Sequence, residues 1–194
     1  MDIAIVGGGA AGFFAAIAAK ENYPEACVVI FEKSNKLLAK VKVSGGGRCN
    51  VTNGCTSIRE LVEAYPRGKK QLKKAFRIFN TAHTMQWFED RGVPLMTEKD
   101  GRVFPASQNS QTIIDCFMGE TERLDITIEM GCGIDAIRQV GDRVALDFAA
   151  EDASSKTFDK VIVATGGSPK KSGLLWLEGL GHQIVEPIPS LFTF

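Results

Sequence analysis

Three glycines near the start of the chain have the spacing of a phosphate-binding turn. Residues 7–12 read Gly-Gly-Gly-Ala-Ala-Gly and follow an apolar stretch, residues 2–6, that predicts a β-strand. In such a turn Gly7 permits a tight strand-to-helix connection, Gly9 lets backbone approach a pyrophosphate, and Gly12 lets the following helix pack closely. The amides at that helix N-terminus would face the phosphates, at the positive end of the helix dipole. The pattern therefore predicts a dinucleotide site rather than a purely structural turn.

An acidic residue, Glu32, stands twenty positions beyond Gly12 and closes a second predicted strand, residues 27–31. A carboxylate at this place accepts hydrogen bonds from both hydroxyls of an adenosine ribose and repels a 2′-phosphate. The acid at this position favours FAD or NAD over NADP, although the neighbouring Lys33 weakens the exclusion of NADP. The alternative is a solvated acid at a strand end, which the spacing disfavours.

A second glycine cluster follows the apolar residues 161–164, which predict a buried parallel strand. Thr165 offers a hydroxyl there, and Gly166 and Gly167 let backbone approach a flat or anionic ligand. Ligands bind at the carboxyl ends of such strands, so we expect this cluster to line the same crevice. A plain glycine-rich strand exit is the alternative.

Composition excludes several classes of function. The chain has 194 residues, enough for one domain and at most two. Lys and Arg together number 23, as do Asp and Glu, so the net charge gives no general attraction to nucleic acid or to a membrane, and neither is predicted as a partner. No apolar run approaches the ~20 residues that span a bilayer, and the first strand leaves no room for a leader peptide, so the cytoplasm is the expected compartment. Five cysteines without a CxxC spacing and two histidines predict reduced thiols and no metal centre.

The middle of the chain predicts mainly helices. Residues 44–54 are glycine-rich and polar, which predicts a loop. Helices are predicted over residues 67–79, over 81–91 and from Asn109 or Ser110 to about residue 123, with a hairpin of 95–97 and 102–104 between the last two. The first of these helices is strongly basic, and we interpret its charges as a solvated face rather than a nucleic-acid site.

Extended segments dominate the rest of the chain. Strands are predicted over residues 126–130, 133–140, 143–149 and 158–164, with turns at 141–142 and 151–155. The last three strands form an antiparallel meander, whereas the strand–helix–strand units pair in parallel. The predicted fold is therefore α/β: a mainly parallel sheet with helices on one side and a three-stranded antiparallel meander on the other.

Several segments together resemble a known family. They are residues 3–12, 31–33, 40, 44–53, 102–107, 164–167, 180–182 and 187–191, and Ser-Gly-Gly-Gly-Arg-Cys-Asn at 44–50 is the most specific. The chain resembles the N-terminal part of the BaiN-like (YhiN-like) flavoproteins, within the glutathione-reductase-type two-dinucleotide-binding superfamily. The resemblance covers essentially the whole chain and implies a three-layer Rossmann-like FAD-binding fold with FAD as the cofactor.

The resemblance also implies a set of cofactor-binding residues. By its motifs, the pyrophosphate is held by Gly7, Gly9, Ala11 and Gly12, and the adenosine ribose region by Glu32 and Lys33. The second loop contacts the cofactor through Gly47, Arg48, Cys49 and Asn50, together with Lys40. Ile134 contacts the adenine, and the middle of the cofactor is contacted by Thr165, Gly166 and Gly167. Arg48 would favour a reduced, anionic flavin, or else order its loop through a salt bridge. Cys49 would be a buried or cofactor-lining thiol rather than half of a redox pair.

The function that these observations predict is the FAD-binding portion of a flavin-dependent oxidoreductase. Its substrate is a small molecule that the sequence does not identify, NAD(P)H is a candidate reductant, and no catalytic side chain is evident because a flavin carries the redox chemistry. Family members are about twice as long, so we expect residues 1–194 to be a truncated FAD-binding domain lacking the inserted substrate domain and the C-terminal return segment. The alternatives are an NAD-linked dehydrogenase and a non-catalytic nucleotide-binding or assembly module.

Overall fold

The computed structural model describes residues 1–65, 67–149, 154–168 and 170–187, which form an α/β structure. Its α-helices are α1 (Ala10–Asn22), α2 (Ala39–Gly47), α3 (Ile58–Leu61), α4 (Lys69–Ala75), α5 (Thr81–Glu89) and α6 (Ser110–Arg123), with 3-10 helices at Val62–Ala64 and Lys171–Leu180. Its strands are β1 (Asp2–Val6), β2 (Cys27–Glu32), β3 (Thr52–Asn53), β4 (Leu95–Thr97), β5 (Arg102–Pro105), β6 (Thr127–Met130), β7 (Ile134–Val140), β8 (Arg143–Phe148), β9 (Lys156–Phe158) and β10 (Lys160–Val163). The chain divides into two compact units, one made of Met1–Leu38 with Glu120–Phe194 and the other of Ala39–Gly119.

The first unit contains a four-stranded parallel sheet with the order β10-β1-β2-β6. Ile5 in β1 lies opposite Ile30 in β2 and Ile162 in β10, which fixes the register of the three strands. A separate antiparallel sheet in the order β7-β8-β9 is the predicted meander. The predicted α/β class, with a parallel sheet, helices and a three-stranded meander, is confirmed.

The two faces of the parallel sheet bury different partners, because successive side chains of a strand point to opposite faces. Ala4, Val6 and Phe31 form one cluster with the meander residues Ile137, Leu146 and Phe158. The alternate residues of β1 and β2 are also buried, and helix α1 packs on these strands with its own buried residues, Phe13, Ala16 and Ile17. The helix, the sheet and the meander thus form three layers in this unit.

The predicted strand over residues 158–164 is wrong in two respects. It is two strands, since Asp159 interrupts it: the carboxylate of Asp159 accepts a hydrogen bond from the Asp2 amide at 2.7 Å, and its own amide donates to the Asp2 carbonyl at 2.9 Å. These bonds turn the chain from the meander into the parallel sheet. The strand that follows is also not buried, because β10 stands at the end of the strand order, and Ile162 and Val163 are 39% and 37% exposed.

The second unit contains the antiparallel sheet β3-β5-β4, and its β4–β5 hairpin confirms the one predicted. Strand β3 lies inside the segment predicted as a loop, because Thr52 and Asn53 pair with Val103 and Arg102. Helix α2 also runs into that segment, but its backbone is broken at residues 44–46, where Ser44 is extended and Gly45 and Gly46 are left-handed. The loop prediction is therefore only partly right.

The three helices predicted over residues 67–123 correspond to α4, α5 and α6 and agree with them to within about four residues, whereas α3 and the 3-10 helices were not predicted. Helix α4 is shorter than predicted and ends at Ala75, whereas α5 begins at Thr81 with a capping box formed by Asn80 and His83. Of the helices in the described ranges, none combines the length and the apolar composition needed to cross a membrane. Part of the predicted turn, residues 151–153, and part of the segment 187–191, residues 188–191, lie outside the described residues.

Candidate nucleotide site

The glycine turn between β1 and α1 is packed so tightly that two of its positions exclude any side chain. Gly7 has φ +116°, its amide donates to the Phe31 carbonyl at 2.8 Å, and a Cβ there would lie 2.5 Å from the Ala164 carbonyl oxygen. A Cβ on Gly12 would lie 1.9 Å from the carbonyl oxygen of Gly7. The first glycine thus lets the turn approach the end of β10, and the last lets α1 approach the turn.

Gly9 differs from its neighbours because no protein atom lies within 4 Å of the position that a Cβ would take. It is the N-cap residue of α1 and has no side chain with which to satisfy the amides of the first helical turn, which also contains no acidic residue. Ala10 and Ala11 in that turn are exposed. An open helix N-terminus of this kind suits a phosphate, since unsatisfied amides and the helix dipole both attract an anion.

Glu32, at the end of β2, ties this turn to the loop that follows. One carboxylate oxygen accepts a hydrogen bond from the Gly8 amide, and the other accepts two from the amide and hydroxyl of Ser34, all at 2.8 Å. Burial alone would raise the pKa of Glu32, but these hydrogen bonds and the nearby Lys33 outweigh it and hold the pKa below its ordinary value. A carboxylate has about four lone-pair positions, so the oxygen that binds Gly8 keeps one for a further donor.

The predicted adenosine residues lie together at this end of the sheet. The amide of Cys132 donates to the Glu32 carbonyl at 2.9 Å, and a Cβ on Gly133 would lie 3.7 Å from the Cβ of Lys33. Ile134 follows at the start of β7, half-buried against the cluster that contains Phe31. The connection from β6 to β7 is therefore held beside the acid that closes β2.

The second predicted cluster, at the exit of β10, meets the glycine turn. The Cα of Thr165 is 3.0 Å from the position of a Cβ on Gly7. Thr165, Gly166 and Gly167 are exposed, Gly166 has φ +77°, and a Cβ on Gly167 would meet no atom within 4 Å. The carboxyl ends of the neighbouring strands β1 and β10 thus present two glycine-rich backbones side by side, as the sequence predicted.

The other predicted residues belong to the second unit. Lys40 is exposed on α2, Gly47 is left-handed with φ +87°, and Asn50 is exposed. Cys49 is buried and left-handed, with φ +64°, and its amide donates to the Ser44 carbonyl at 3.0 Å. Burial raises the pKa of the Cys49 thiol despite a hydrogen bond with Ser44, so at neutral pH it is a protonated thiol rather than a reactive thiolate.

Arg48 is held in place by four groups of its own unit. Its guanidinium lies 4.0 Å from the centre of the Phe104 ring and donates to a carboxylate oxygen of Glu98 at 2.7 Å, to Gln108 at 3.0 Å and to the Gly45 carbonyl at 3.3 Å. Glu98 also binds Arg102 at 3.1 Å. This arrangement matches the loop-ordering salt bridge that was the alternative for Arg48. The positive charge of Arg48 faces the carboxylate of Glu98 in the same unit.

We expect Arg48→Lys to lower the free energy of unfolding by about 1 kcal/mol. Lysine keeps the charge but loses the planar contact with Phe104 and the ability to bind Glu98, Gln108 and Gly45 at once. The effect is modest because the Arg48 and Glu98 side chains are 32% and 27% exposed, so solvent screens the pair. Urea unfolding measures it, with the exposed Arg59→Lys as control, and equal stability of the two variants would contradict a structural role.

The structure groups the predicted residues by unit. The first unit contains Gly7, Gly9, Ala11, Gly12, Glu32, Lys33, Ile134, Thr165, Gly166 and Gly167, and the second contains Lys40, Gly47, Arg48, Cys49 and Asn50. Sequence reasoning missed Gly8 and Ser34, which orient Glu32, and Glu98, Phe104 and Gln108, which hold Arg48. Ser34 stands two residues after the acid, a spacing at which a local hydrogen bond is ordinary. Glu98, Phe104 and Gln108 are distant from Arg48 in the sequence, and no local pattern around Arg48 pointed to them.

The chain matches the family described as "HI0933-like protein Rossmann domain" over residues 1–187. It is 26% identical over 198 residues to the 3-dehydro-bile acid delta(4,6)-reductase of Clostridium scindens, a match that covers 97% of this chain and 46% of that protein. It is 25% identical over 166 residues to the ribosomal RNA dihydrouridine synthase of Escherichia coli, covering 86% and 39%. The chain thus spans about half the length of the curated relatives it matches, or less.

A solved structure gives the same fold. The E. coli quinol fumarate reductase FrdA superposes with a TM-score of 0.62 at 18% identity, over 87% of this chain and 33% of that one. At this level of identity the likeness concerns the fold alone.

Proposed function

Because this chain belongs to the HI0933-like Rossmann-domain family, we propose that it is the FAD-binding portion of a flavin-dependent oxidoreductase. FAD is the cofactor predicted from the sequence, and the family membership agrees with it. The observation that carries the proposal is the open N-terminus of α1, whose Gly9 leaves free space, next to the carboxylate of Glu32. A phosphate and a ribose hydroxyl are the two groups that such a pair of features recognises.

Each part of the first unit has a role in this proposal. The amides of residues 9–12 would bind the pyrophosphate, and the remaining acceptor position of Glu32 would take a ribose hydroxyl. Ile134 would present backbone to the adenine, and Thr165, Gly166 and Gly167 would lie along the middle of the cofactor. Bound FAD would supply hydride and electron transfer, while the protein binds and orients it.

The residues of the second unit complete the proposed cofactor set. Lys40, Gly47, Arg48, Cys49 and Asn50 follow the family's motif, which is the support for placing them against FAD. We propose that residues 1–194 form the cofactor-binding domain and that the substrate is a small molecule bound by further segments of a longer protein. NAD(P)H is the proposed reductant.

Titration of the purified chain with FAD tests the function directly. We expect a dissociation constant at or above about 1 μM. The chain would contact mainly the adenosine and pyrophosphate of FAD, and these contacts supply only part of the cofactor's binding energy. NADP⁺ should bind at least about tenfold more weakly, because Glu32 repels a 2′-phosphate. Flavin fluorescence and calorimetry measure both constants.

Two results would count against parts of the proposal. Tighter binding of NAD than of FAD would favour the dehydrogenase alternative. A sub-micromolar dissociation constant with a strongly structured flavin spectrum would contradict the expectation that this chain contacts only part of the FAD molecule. Stopped-flow mixing of the FAD-loaded chain with NADH or NADPH tests the second alternative, because reduction at an enzymatic rate would argue against a non-catalytic module.

A further inference from the structure

The loop after β2, residues 33–36, directs two hydrogen-bond donors at a single atom. The amide and the hydroxyl of Ser34 both donate to the same carboxylate oxygen of Glu32, each at 2.8 Å. The Ser34 hydroxyl is held in turn by the Lys36 amide, which donates to it at 3.2 Å. The Ser34 carbonyl accepts a further hydrogen bond from the Gly131 amide at 3.3 Å. Ser34 is therefore fixed on both sides of its own peptide unit.

This loop is also cationic. Residues 33–36 read Lys-Ser-Asn-Lys, with two positive charges and no acid, and all four residues are exposed. Burial raises the pKa of Glu32, but the hydrogen bonds from Gly8 and Ser34 and the positive charge of Lys33 lower that pKa below its ordinary value. Two converging donors beside a positive charge suit an anion, and here the anion is a side chain of the protein itself.

The oxygen of Glu32 that Ser34 binds has no acceptor capacity left. A carboxylate oxygen has about two lone-pair positions, and Ser34 fills both of them. The other oxygen accepts the Gly8 amide at 2.8 Å and keeps one position, the one proposed above for a ribose hydroxyl. The two donors of Ser34 are thus unavailable to a ligand for as long as the Glu32 carboxylate occupies them.

A phosphate monoester would use the same donors. A 2′-phosphorylated nucleotide carries this group on the ribose hydroxyl that an acid at the end of such a strand binds, and proteins that accept the phosphate place a cationic side chain there. Ser34 offers two hydrogen bonds and Lys33 offers the charge. With Glu32 in place, a 2′-phosphate would meet a like charge and donors that are already engaged.

We propose that Ser34 is a specificity-determining residue: with Lys33 it forms an anion site that Glu32 fills, and that would accept the 2′-phosphate of a nucleotide once Glu32 is removed. This inference rests on the proposed function, in which Glu32 meets the ribose. In the parent, Ser34 acts through Glu32 as a positioning residue, because it holds one carboxylate oxygen while the other lies at the Gly8 amide. The exclusion of a 2′-phosphate thus has two causes, repulsion by Glu32 and occupation of the Ser34 donors.

Carboxyl-carbon NMR of the chain without ligand tests the positioning role. Ser34→Ala removes one of the three hydrogen bonds that favour ionised Glu32, so the pKa of Glu32 should rise toward its ordinary value. Ser34→Thr keeps a hydroxyl and should restore the parent's pKa. The matched control is Ser155→Ala, which removes another hydroxyl that binds a carboxylate, that of Asp147, and should leave the pKa of Glu32 unchanged. An unchanged pKa of Glu32 in Ser34→Ala would overturn the positioning role.

Calorimetric titration with ADP and with ADP phosphorylated at the 2′ position tests the anion site, because the two ligands differ by that group alone. The parent should prefer ADP by at least about tenfold. Glu32→Ala should prefer the 2′-phosphorylated ligand by about tenfold, since the Ser34 donors and Lys33 become available. Adding Ser34→Ala to that variant should reduce this preference about tenfold, the size expected of one hydrogen bond between a hydroxyl and an anion, whereas adding Ser155→Ala should not change it.

Two results would overturn the anion site. They are a preference of Glu32→Ala for ADP as strong as the parent's, and equal affinity for the 2′-phosphorylated ligand with and without the Ser34 hydroxyl in the Glu32→Ala background. FAD titration of the parent separates these results from the proposed function. A parent that binds FAD and ADP, with no gain for the 2′-phosphorylated ligand in Glu32→Ala, refutes the inference alone. A parent that binds neither FAD nor ADP refutes the proposed function and the inference with it.

Discussion

Gly12→Ala is expected to lower the free energy of unfolding by about 3 kcal/mol. The new methyl group would lie 1.9 Å from the Gly7 carbonyl oxygen, and a backbone atom at the end of a strand cannot move aside as a flexible side chain would. Overpacking of this kind typically costs about 1–3 kcal/mol, and the overlap here is severe enough to offset the gain of up to about 1 kcal/mol that alanine gives over glycine within a helix. Urea-induced unfolding followed by circular dichroism measures the change.

Gly9→Ala is the matched control, because it adds the same methyl group to the same turn. No atom lies within 4 Å of that methyl position, and the backbone of Gly9 is extended rather than left-handed. The variant should therefore be as stable as the parent to within about 0.5 kcal/mol. It should nevertheless bind FAD about tenfold more weakly, because the methyl group would occupy the space in which backbone approaches the pyrophosphate. Equal stability of the two variants would contradict the packing argument, and unchanged FAD affinity of Gly9→Ala would place the pyrophosphate elsewhere.

Glu32→Gln should weaken FAD binding by about tenfold to a hundredfold. The carboxylate loses its charge, and a hydrogen bond to a charged acceptor is worth about 1.5–3 kcal/mol. One of its oxygens becomes an amide group that faces the Gly8 amide or the two donors of Ser34, so the local geometry loosens as well. The discrimination against NADP⁺ should also fall, since the repulsion of a 2′-phosphate is removed. Calorimetric titration of FAD and NADP⁺ measures both effects.

The control for this variant is Glu25→Gln, which makes the same change of charge at an exposed residue before β2, beyond the opposite end of that strand. It should bind FAD like the parent. An equal loss in both variants would show a general charge effect rather than a contact at the ribose.

The pH dependence of the parent gives a further check on Glu32. Because folding lowers the pKa of Glu32, its ionised form stabilises the fold above the unfolded pKa, and that stability is lost as pH falls through the folded pKa. The parent should therefore lose stability on acidification more steeply than Glu32→Gln.

Local sequence patterns correctly predicted the helices and strands that are specified by adjacent residues. The strand–turn–helix over residues 2–22 follows from an apolar run, three glycines and an alanine-rich stretch, all adjacent in the chain. The β4–β5 hairpin and the helix after Asn109 have equally local signals in a turn and a cap. The spacing of Glu32 from Gly12 likewise placed an acid at the end of β2, where its carboxylate meets the Gly8 amide.

The tertiary structure decided what depends on partners far away in the sequence. The strand β3 formed in a glycine-rich segment because β5, fifty residues later, pairs with it. The strand 161–163, apolar enough for a core, lies at an edge of the sheet because strand order, rather than composition, determines exposure. The sequence left two roles open for Arg48, and the contacts with Glu98 and Phe104 support the loop-ordering one, while its place beside FAD stays a proposal.

By itself, then, the sequence determined the class of fold, the family and the location of the glycine turn, because each depends on short-range spacing and on a motif. The motif assigned a tight turn to Gly7, room for a ligand to Gly9 and close helix packing to Gly12, and only the tertiary structure decided which atoms set those limits. Gly7, Gly9 and Gly12 are identical in sequence, yet Gly7 and Gly12 face the backbone of Ala164 and of the turn itself, whereas Gly9 faces open space. The physical reason is that a steric limit is set by the atoms that folding brings close, which are those of Ala164, distant in sequence, for Gly7 and the carbonyl oxygen of Gly7 itself for Gly12.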